Sequence, residues 1–229
     1  MIMPQALVSH DYVLMQETPL LYAQGAVASF IEQEVRRPSK QWIFSVIAGE
    51  QERDQVVLRT DEFVLLPDTE RVNRYWRASG KSQPQPQNLQ QYQRPPFRMA
   101  LNWLAIVNDT RIRTLRDLRG EHLPMLRRLL TSSVRAVEKH TGIPGAQVMA
   151  YVHYPPSVYQ LHVHFSFPYG QYCHRDTYRM HSIEAIINNL EIDPDYYAKA
   201  TLHLAMYRQS PHYSALLALP ETEEKNEES

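Results

Sequence analysis

The apolar residues of the chain fall into short runs with the spacing of strands. The stretch DQVVLRTDEFVLLPD at 54–68 holds two such runs separated by polar residues at 59–62, which predicts two antiparallel strands and a tight turn. QWIFSVI at 41–47 predicts a further strand, and MALNWLAIVND at 99–109 predicts a buried one. Strands are also predicted at 146–153, 159–167 and 200–207.

Two segments carry apolar residues at helical spacing. Between 121 and 142 the pattern predicts a long helix, with basic residues in its last turn and Gly142 placed to cap its C-terminus. The apolar positions of this helix are Leu126, Leu129, Leu130, Val134 and Val137. A stripe at i, i+3, i+4 and i+7, which runs from Ile183 to Leu190, predicts a second helix near 178–190.

These elements divide the chain into three parts. Residues 1–40 are predicted as an N-terminal stub with a helix at the apolar stretch 26–31, which leads into the core before the charged turn EQEVRRPSK. Residues 41–215 are predicted as one α+β domain, an antiparallel sheet of about five strands flanked by helices, because most connections between strands are short. Within it, the Gln- and Pro-rich segment 72–98 predicts a long surface loop, and 216–229 predicts a disordered acidic tail.

Composition narrows the functional classes. The 24 basic and 25 acidic residues leave a formal charge of −1, so an anionic ligand has to be met by local groups. The lone Cys173 excludes a disulfide framework and a cysteine-rich zinc site, and favours a reducing compartment. No apolar run approaches the roughly 20 residues of a membrane span, and the N-terminus lacks the order of a signal peptide. We therefore expect a cytoplasmic or nuclear protein that does not enter a membrane.

Two histidines stand out in the predicted strand at 159–167. Successive side chains of a strand alternate between faces, so Gln160, His162 and His164 share one face while apolar residues occupy the other. These histidines could be ordinary polar residues on a solvated strand face. They could also bind a metal ion, for which His153 and His174 are the nearby candidates for a third ligand.

Nucleophilic catalysis at phosphorus is the third possibility for these histidines. An imidazole can attack a phosphoryl centre when one ring nitrogen is kept free and the other is held protonated by a hydrogen bond, commonly to a backbone carbonyl. The covalent phosphoramidate then transfers its phosphoryl group to water. Neighbouring nitrogens on the same face would bind the non-bridging oxygens, where charge accumulates in the transition state.

The stretch QLHVHFS at 160–166 resembles the histidine triad signature His-φ-His-φ-His-φ-φ, with Gln160 at the first histidine and Ser166 at the last apolar position. Three longer stretches, RIRTLRDLRGEHLPMLRRLL, YVHYPPSVYQLHVHFSF and INNLEIDPDYYAKATLHLAM, resemble the C-terminal domain of the scavenger mRNA-decapping enzymes. The resemblance covers roughly 15–210, with a break at the Gln- and Pro-rich loop. It implies a histidine triad pyrophosphatase that hydrolyses m7G caps on dinucleotides or short RNA to m7GMP, works as a homodimer and needs no metal or other cofactor.

The resemblance also implies roles for individual residues. His162 matches the nucleophile, while His164 and Gln160 match its companions in the motif. The phosphate-binding positions are His153, Ser157 and Arg179, and the cap-binding positions are Trp42, Glu52, Pro67 and Asp68. The types fit the chemistry, because a Trp face attracts the cationic N7-methylguanine and a carboxylate accepts from its N1 and N2 hydrogens.

Three departures from the family pattern leave alternatives open. The chain has only a stub in place of the large swapped N-terminal domain that closes over the cap. Glu70 stands where the family has a phosphate-binding lysine, and Gln160 cannot become a cation as a histidine can. The alternatives are a non-catalytic paralogue that binds caps or nucleotides, and a histidine triad hydrolase for another nucleotide.

Overall fold

The computed structural model describes residues 12–24, 26–68, 101–167 and 177–218. Outside these ranges lie the predicted loop at 72–98, the tail from 219 onward, and the residues Glu70, Cys173 and His174. Within them, the strands are β1 (Tyr12–Glu17), β2 (Leu58–Arg59), β3 (Phe63–Pro67), β4 (Asn102–Val107), β5 (Met149–His153), β6 (His162–Ser166), β7 (Met180–Ser182) and β8 (Leu202–Tyr207). The α-helices of the same ranges are α1 (Pro19–Gln24), α2 (Val27–Arg36), α3 (Trp42–Ala48), α4 (Leu123–Thr141), α5 (Ile183–Ile192), α6 (Tyr196–Lys199) and α7 (Pro211–Leu217).

Among the residues described, the main sheet is antiparallel and has six strands in the order β2-β3-β4-β6-β5-β7. The predicted α+β class is confirmed, with one strand more than the expected five or so. The added strand β7 occupies 180–182, inside the segment predicted as a helix, and Ser182 then caps α5 by accepting a hydrogen bond from the Ala185 amide. The strand β6 lies in the middle of the sheet between β4 and β5.

The two faces of this sheet are chemically different. His164 of β6 lies directly opposite Leu104 of β4 and Tyr151 of β5, and His162 lies opposite Ile106, so these residues share one face. The other face is apolar and packs against α4 and α5 in the main core. Its buried residues include Leu65, Trp103, Ala105, Val152, Val163 and Phe165.

Residues 42–48 form a helix, so the strand predicted at 41–47 is wrong. Ile43 and Val46, three residues apart, are buried on one side of α3 against Val64 and Ile106 of the histidine-bearing sheet face. A short run of consecutive apolar residues fits a strand and a buried helix equally well, and here the helical packing is realised. Gly49, in the left-handed conformation (φ 75°), ends the helix.

The N-terminal segment is more than a helical stub. It begins with β1, which pairs antiparallel with β8 in a separate two-stranded sheet, and α2 continues through the predicted charged turn to Arg36. At the other end, Leu216 is buried in α7, so the boundary predicted for the tail falls inside a helix. The helix α4 has the predicted position and is ended by Gly142 (φ 67°).

Candidate functional site

His162 is held in one orientation by a backbone hydrogen bond. Its Nδ1 lies 2.7 Å from the carbonyl oxygen of Gln160, and because a carbonyl only accepts, Nδ1 carries the hydrogen. None of the described residues hydrogen-bonds to the other ring nitrogen, Nε2. Burial lowers the pKa of His162, while the Gln160 carbonyl and the charge of Asp68 act against that decrease. A neutral ring with its lone pair on Nε2 is therefore the favoured form.

The other two histidines of the site form a bonded pair. His153 Nδ1 and His164 Nε2 are 3.1 Å apart, with ring centroids separated by 4.5 Å. The ring of His164 also lies 5.0 Å from that of His162 and stacks on Tyr151 at 5.3 Å. The structure thus places His162 and His164 on one sheet face, as the alternation in the sequence predicts, and brings His153 to the same face.

Gln160 is completely buried and acts through its amide group. Its Nε2 donates to the carbonyl oxygens of Val107 (2.6 Å) and Asp109 (3.1 Å), which ties the start of β6 to the end of β4. Its Oε1 is buried without a hydrogen-bond partner in the described residues. The side chain therefore anchors the backbone whose carbonyl orients His162.

Asp68 connects the histidines to the predicted cap-binding residues. Asn102 holds it twice, because Nδ2 donates to Asp68 Oδ2 at 2.8 Å and the Asn102 carbonyl accepts from the Asp68 amide at 2.8 Å. The negative charge of Asp68 partly offsets the lowering of the His162 pKa by burial. The same charge helps to raise the pKa of Glu52, for which partial burial is the larger cause. Asn102 was not predicted, since a lone Asn at the start of an apolar strand carries no signal in the sequence.

Trp42 lies at the first position of α3, partly buried against the apolar cluster that contains Leu104 and Ile106. These two residues are the cross-strand partners of His164 and His162, so Trp42 packs on the sheet face that carries the site. Pro67 ends β3 opposite Trp103, immediately before Asp68. Glu52 lies at the protein surface and adopts a left-handed backbone conformation (φ 53°), which is costly for a residue other than glycine.

Among the described residues, neither Ser157 nor Arg179 forms a hydrogen bond to the three histidines. They line a neighbouring cavity of about 360 Å³, and Pro156 borders both this cavity and the crevice beside His162. Lys40, which was not predicted, donates to the Ser157 carbonyl at 2.7 Å. The loop that precedes β6 is thus held from the side of the cavity.

A buried ionic network supports the same loop from the interior. Glu17 accepts hydrogen bonds from Arg116 Nε (2.8 Å) and the Tyr154 hydroxyl (2.6 Å), and its second carboxylate oxygen lies 3.3 Å from His212 Nε2. The Tyr159 hydroxyl lies 2.6 Å from Nδ1 of His212. Tyr154 and Tyr159 flank the loop that leads into β6, so the network fixes both of its ends.

Metal binding was one of the alternatives for the histidines, and the described residues show no site for it. They hold no group of three or more His, Cys, Asp or Glu side chains placed to bind a metal ion. His174, one candidate for the third ligand, lies outside them. Within the same ranges no helix is long and apolar enough to cross a membrane.

The antiparallel sheet carries His162 and His164 on its central strand and His153, bonded to His164, on the next strand, which is the arrangement expected of a histidine triad domain. Residues 89–175 match the family model described as "Scavenger mRNA decapping enzyme C-term binding". The part of the chain that carries the histidines is therefore related to the C-terminal domain of the scavenger mRNA-decapping enzymes.

The curated proteins that are similar to this chain include m7GpppX diphosphatases. The chain is 33% identical to the m7GpppX diphosphatase of Rattus norvegicus over 177 residues, which are 76% of this chain and 46% of that protein. It is 31% identical to the m7GpppX diphosphatase of Bos taurus over 219 residues, 94% of this chain and 56% of that protein. The chain thus spans about half the length of the curated relatives it matches.

Solved structures are more distant. The crystal structure of aprataxin ortholog Hnt3 in complex with DNA has a TM-score of 0.36 and 13% identity, and the similarity covers 57% of this chain and 60% of that one. Hnt3 in complex with DNA and guanosine has a TM-score of 0.35 and 14% identity, covering 76% and 90%.

Proposed function

We propose that the protein hydrolyses m7G-capped dinucleotides or short capped RNA to m7GMP and a nucleoside diphosphate or diphosphate-ended RNA. The observation that carries the proposal is the orientation of His162, whose Nδ1 hydrogen is bonded to the Gln160 carbonyl while Nε2 is left to attack. The similarity to m7GpppX diphosphatases supports the choice of substrate.

In the proposed reaction, Nε2 of His162 attacks the phosphorus next to m7G. A P–N bond forms, the bond between that phosphorus and the bridging oxygen breaks, and the diphosphate leaves with the electron pair. The ring then carries positive charge, which the Gln160 carbonyl and the charge of Asp68 both favour. Water hydrolyses the phosphoramidate and restores the free histidine.

The charge on the phosphate oxygens needs cationic or donor groups. The bonded pair of His164 and His153 lies beside His162, with the rings of His164 and His162 5.0 Å apart. One ring hydrogen is engaged between the two histidines of the pair, so the second ring hydrogen of the pair is the one that would be donated to a non-bridging oxygen. Ser157 and Arg179, across Pro156, are proposed to hold the phosphates that leave. Formal charge on the whole chain is −1, so these local groups have to supply the attraction.

Trp42 and Glu52 are proposed to recognise the cap base. The indole would stack on the cationic N7-methylguanine, and the Glu52 carboxylate would accept from N1 and N2 of the base. Partial burial and the neighbouring Asp68 raise the pKa of Glu52, because both disfavour its negative charge and no described residue supplies a compensating positive charge. A cationic base bound there would supply that charge.

The likeness to the decapping enzymes also leads us to propose that the protein is a homodimer, which sedimentation would test.

The deciding experiment incubates the full chain with m7GpppG and with GpppG, and separates the products by chromatography. We expect m7GMP and GDP from the methylated substrate, and a loss of about a thousandfold or more in His162→Ala. His203→Ala, which alters an exposed histidine on β8, is the matched control. Tight binding of m7GpppG without product would show a non-catalytic binding protein, and equal rates on both substrates would show a hydrolase for another nucleotide.

A further inference from the structure

We propose that the 360 Å³ cavity beside Ser157, here named the tyrosine cavity, binds the RNA nucleotides that follow the cap. It is lined in part by Tyr12, Arg37, Lys40, Ser157, Arg179 and Tyr207. The inference deepens the proposed function, on which it rests for the assignment to capped substrates. It adds to that function a separate binding site for the part of the RNA that the hydrolysis does not change.

The size of the tyrosine cavity suits a nucleotide. Sites for small molecules and cofactors have volumes of roughly 300 to 1,000 Å³, and this cavity lies at the lower end of that range. Its walls come from α2, from the loop before β6 and from the β1–β8 sheet. A ligand there would therefore contact three separate parts of the fold.

The charges around the cavity favour an anion. Arg37, Lys40 and Arg179 face a single carboxylate, Glu34, whereas acidic and basic residues are nearly balanced over the whole chain. Glu34 is paired with Arg37 at 2.7 Å, and Lys40 is bonded to a backbone carbonyl rather than to an acid. The guanidinium of Arg179 has no side-chain partner in the described residues. Phosphodiester groups provide the charge that this arrangement lacks.

Aromatic rings at the rim supply a surface for bases. Tyr12 and Tyr207 face each other across the β1–β8 pair with ring centroids 4.9 Å apart, and Tyr207 is 40% exposed. Proteins that bind single-stranded RNA without sequence preference combine cationic grooves with such rings, on which bases stack. The same combination is found around this cavity.

The cavity lies next to the narrow crevice beside His162. Pro156 lines both, and the next residue, Ser157, is held by Lys40 at the edge of the tyrosine cavity. The diphosphate that His162 displaces from the phosphorus would lie across Pro156, towards Arg179. The RNA attached to that diphosphate would then lie along Arg37 and Tyr207.

The test measures binding without hydrolysis, so that a failure of the proposed activity does not hide the result. The probe is a five-nucleotide RNA with a 5′-diphosphate and a 3′-fluorescein label, followed by fluorescence anisotropy with the full chain, and GDP is the short competitor. The variants are Arg37→Gln and Tyr207→Leu. The matched control is Arg36→Gln, which removes the same charge from the neighbouring residue, whose side chain is 82% exposed.

We expect the wild-type protein to bind the RNA at least about tenfold more tightly than GDP. Arg37→Gln and Tyr207→Leu should each weaken RNA binding by about fivefold or more, while Arg36→Gln leaves it unchanged. The salt dependence should also fall in Arg37→Gln, by about 0.7 in the slope of log K against log salt. Equal affinity for RNA and GDP, no effect of either variant, or an equal loss in Arg36→Gln would overturn the inference. Hydrolysis of m7GpppG by the same samples reports separately on the proposed function.

Discussion

The Nδ1 hydrogen of His162 is bonded to the carbonyl oxygen of Gln160, two residues earlier in the chain. That carbonyl is itself fixed, because the Gln160 side chain donates to the backbone of Val107 and Asp109. The orientation of the proposed nucleophile therefore depends on an amide side chain at the position where the histidine triad signature has its first histidine.

Replacing Gln160 with Leu should reduce both catalysis and stability. The change leaves two buried carbonyl oxygens without donors, which costs about 1 to 3 kcal/mol, and it loosens the backbone that orients His162. We expect kcat on m7GpppG to fall about tenfold or more. Gln160→His, which keeps one donor, should recover part of kcat, and Gln147→Leu, at an exposed position, should behave as wild type. Full kcat in the Gln160→Leu variant would contradict this role.

Asp68→Asn should move the pH dependence of catalysis. Burial lowers the pKa of His162 and the charge of Asp68 raises it, so removing that charge lowers the pKa further. The neutral ring then persists to lower pH, and the acid limb of log kcat/KM moves to lower pH. Asp61→Asn, in the exposed turn before β3, is the control. An acid limb that stays in place or moves to higher pH would refute the electrostatic link.

Trp42→Ala should remove the preference for a methylated base. Stacking and cation–π attraction contribute about 0.5 to 2 kcal/mol, so the affinity for m7GDP should fall roughly 3- to 30-fold while that for GDP changes less. Phe44→Ala is a stringent control, because Phe44 lies on the same helix and packs against the same apolar cluster. Calorimetric titration with both nucleotides gives the ratio of the affinity for m7GDP to the affinity for GDP. A similar loss for the two variants would mean that Trp42 acts only through packing.

Glu17→Gln should destabilise the whole fold. Burial by itself would raise the pKa of Glu17, but hydrogen bonds from His212 and Tyr154, together with Arg116, outweigh it and hold the pKa below the ordinary 4.5. The substitution leaves the buried Arg116 without its anion, which costs about 3 to 5 kcal/mol. Urea denaturation measures this loss, with the exposed Glu50→Gln as control.

The same carboxylate gives a pH signature. A pKa that is lower in the folded than in the unfolded state contributes stability above the unfolded value, and this contribution disappears as pH falls through the folded value. The free energy of unfolding of the wild-type protein should therefore decline below about pH 4.5, and that decline should be smaller in Glu17→Gln. Identical acid profiles would show that another group is responsible.

The spacing of apolar residues in the sequence was sufficient to predict an element wherever it fitted only a helix or only a strand. The regular stripe of α4 and the alternation of β6 predicted both elements and the shared face of His162 and His164. It failed at 41–47, where consecutive apolar residues fit either element and only packing on β3 and β4 decides. The partners of Glu17 are 99 residues away at Arg116 and 195 residues away at His212, a separation that no local pattern reveals. Asn102 and Lys40 were missed for the same reason.

The two faces of the main sheet have different roles, since one packs in the main core and the other carries the histidines. Residues that hold the molecule together, such as Val163 and Phe165, alternate along β6 with residues that would meet a nucleotide, and the two sets point to opposite sides. Substitutions on the histidine side of β6 can therefore change substrate choice while the main core on the other side keeps its packing. Such a scaffold is well suited to acquiring new nucleotide specificities without first being rebuilt.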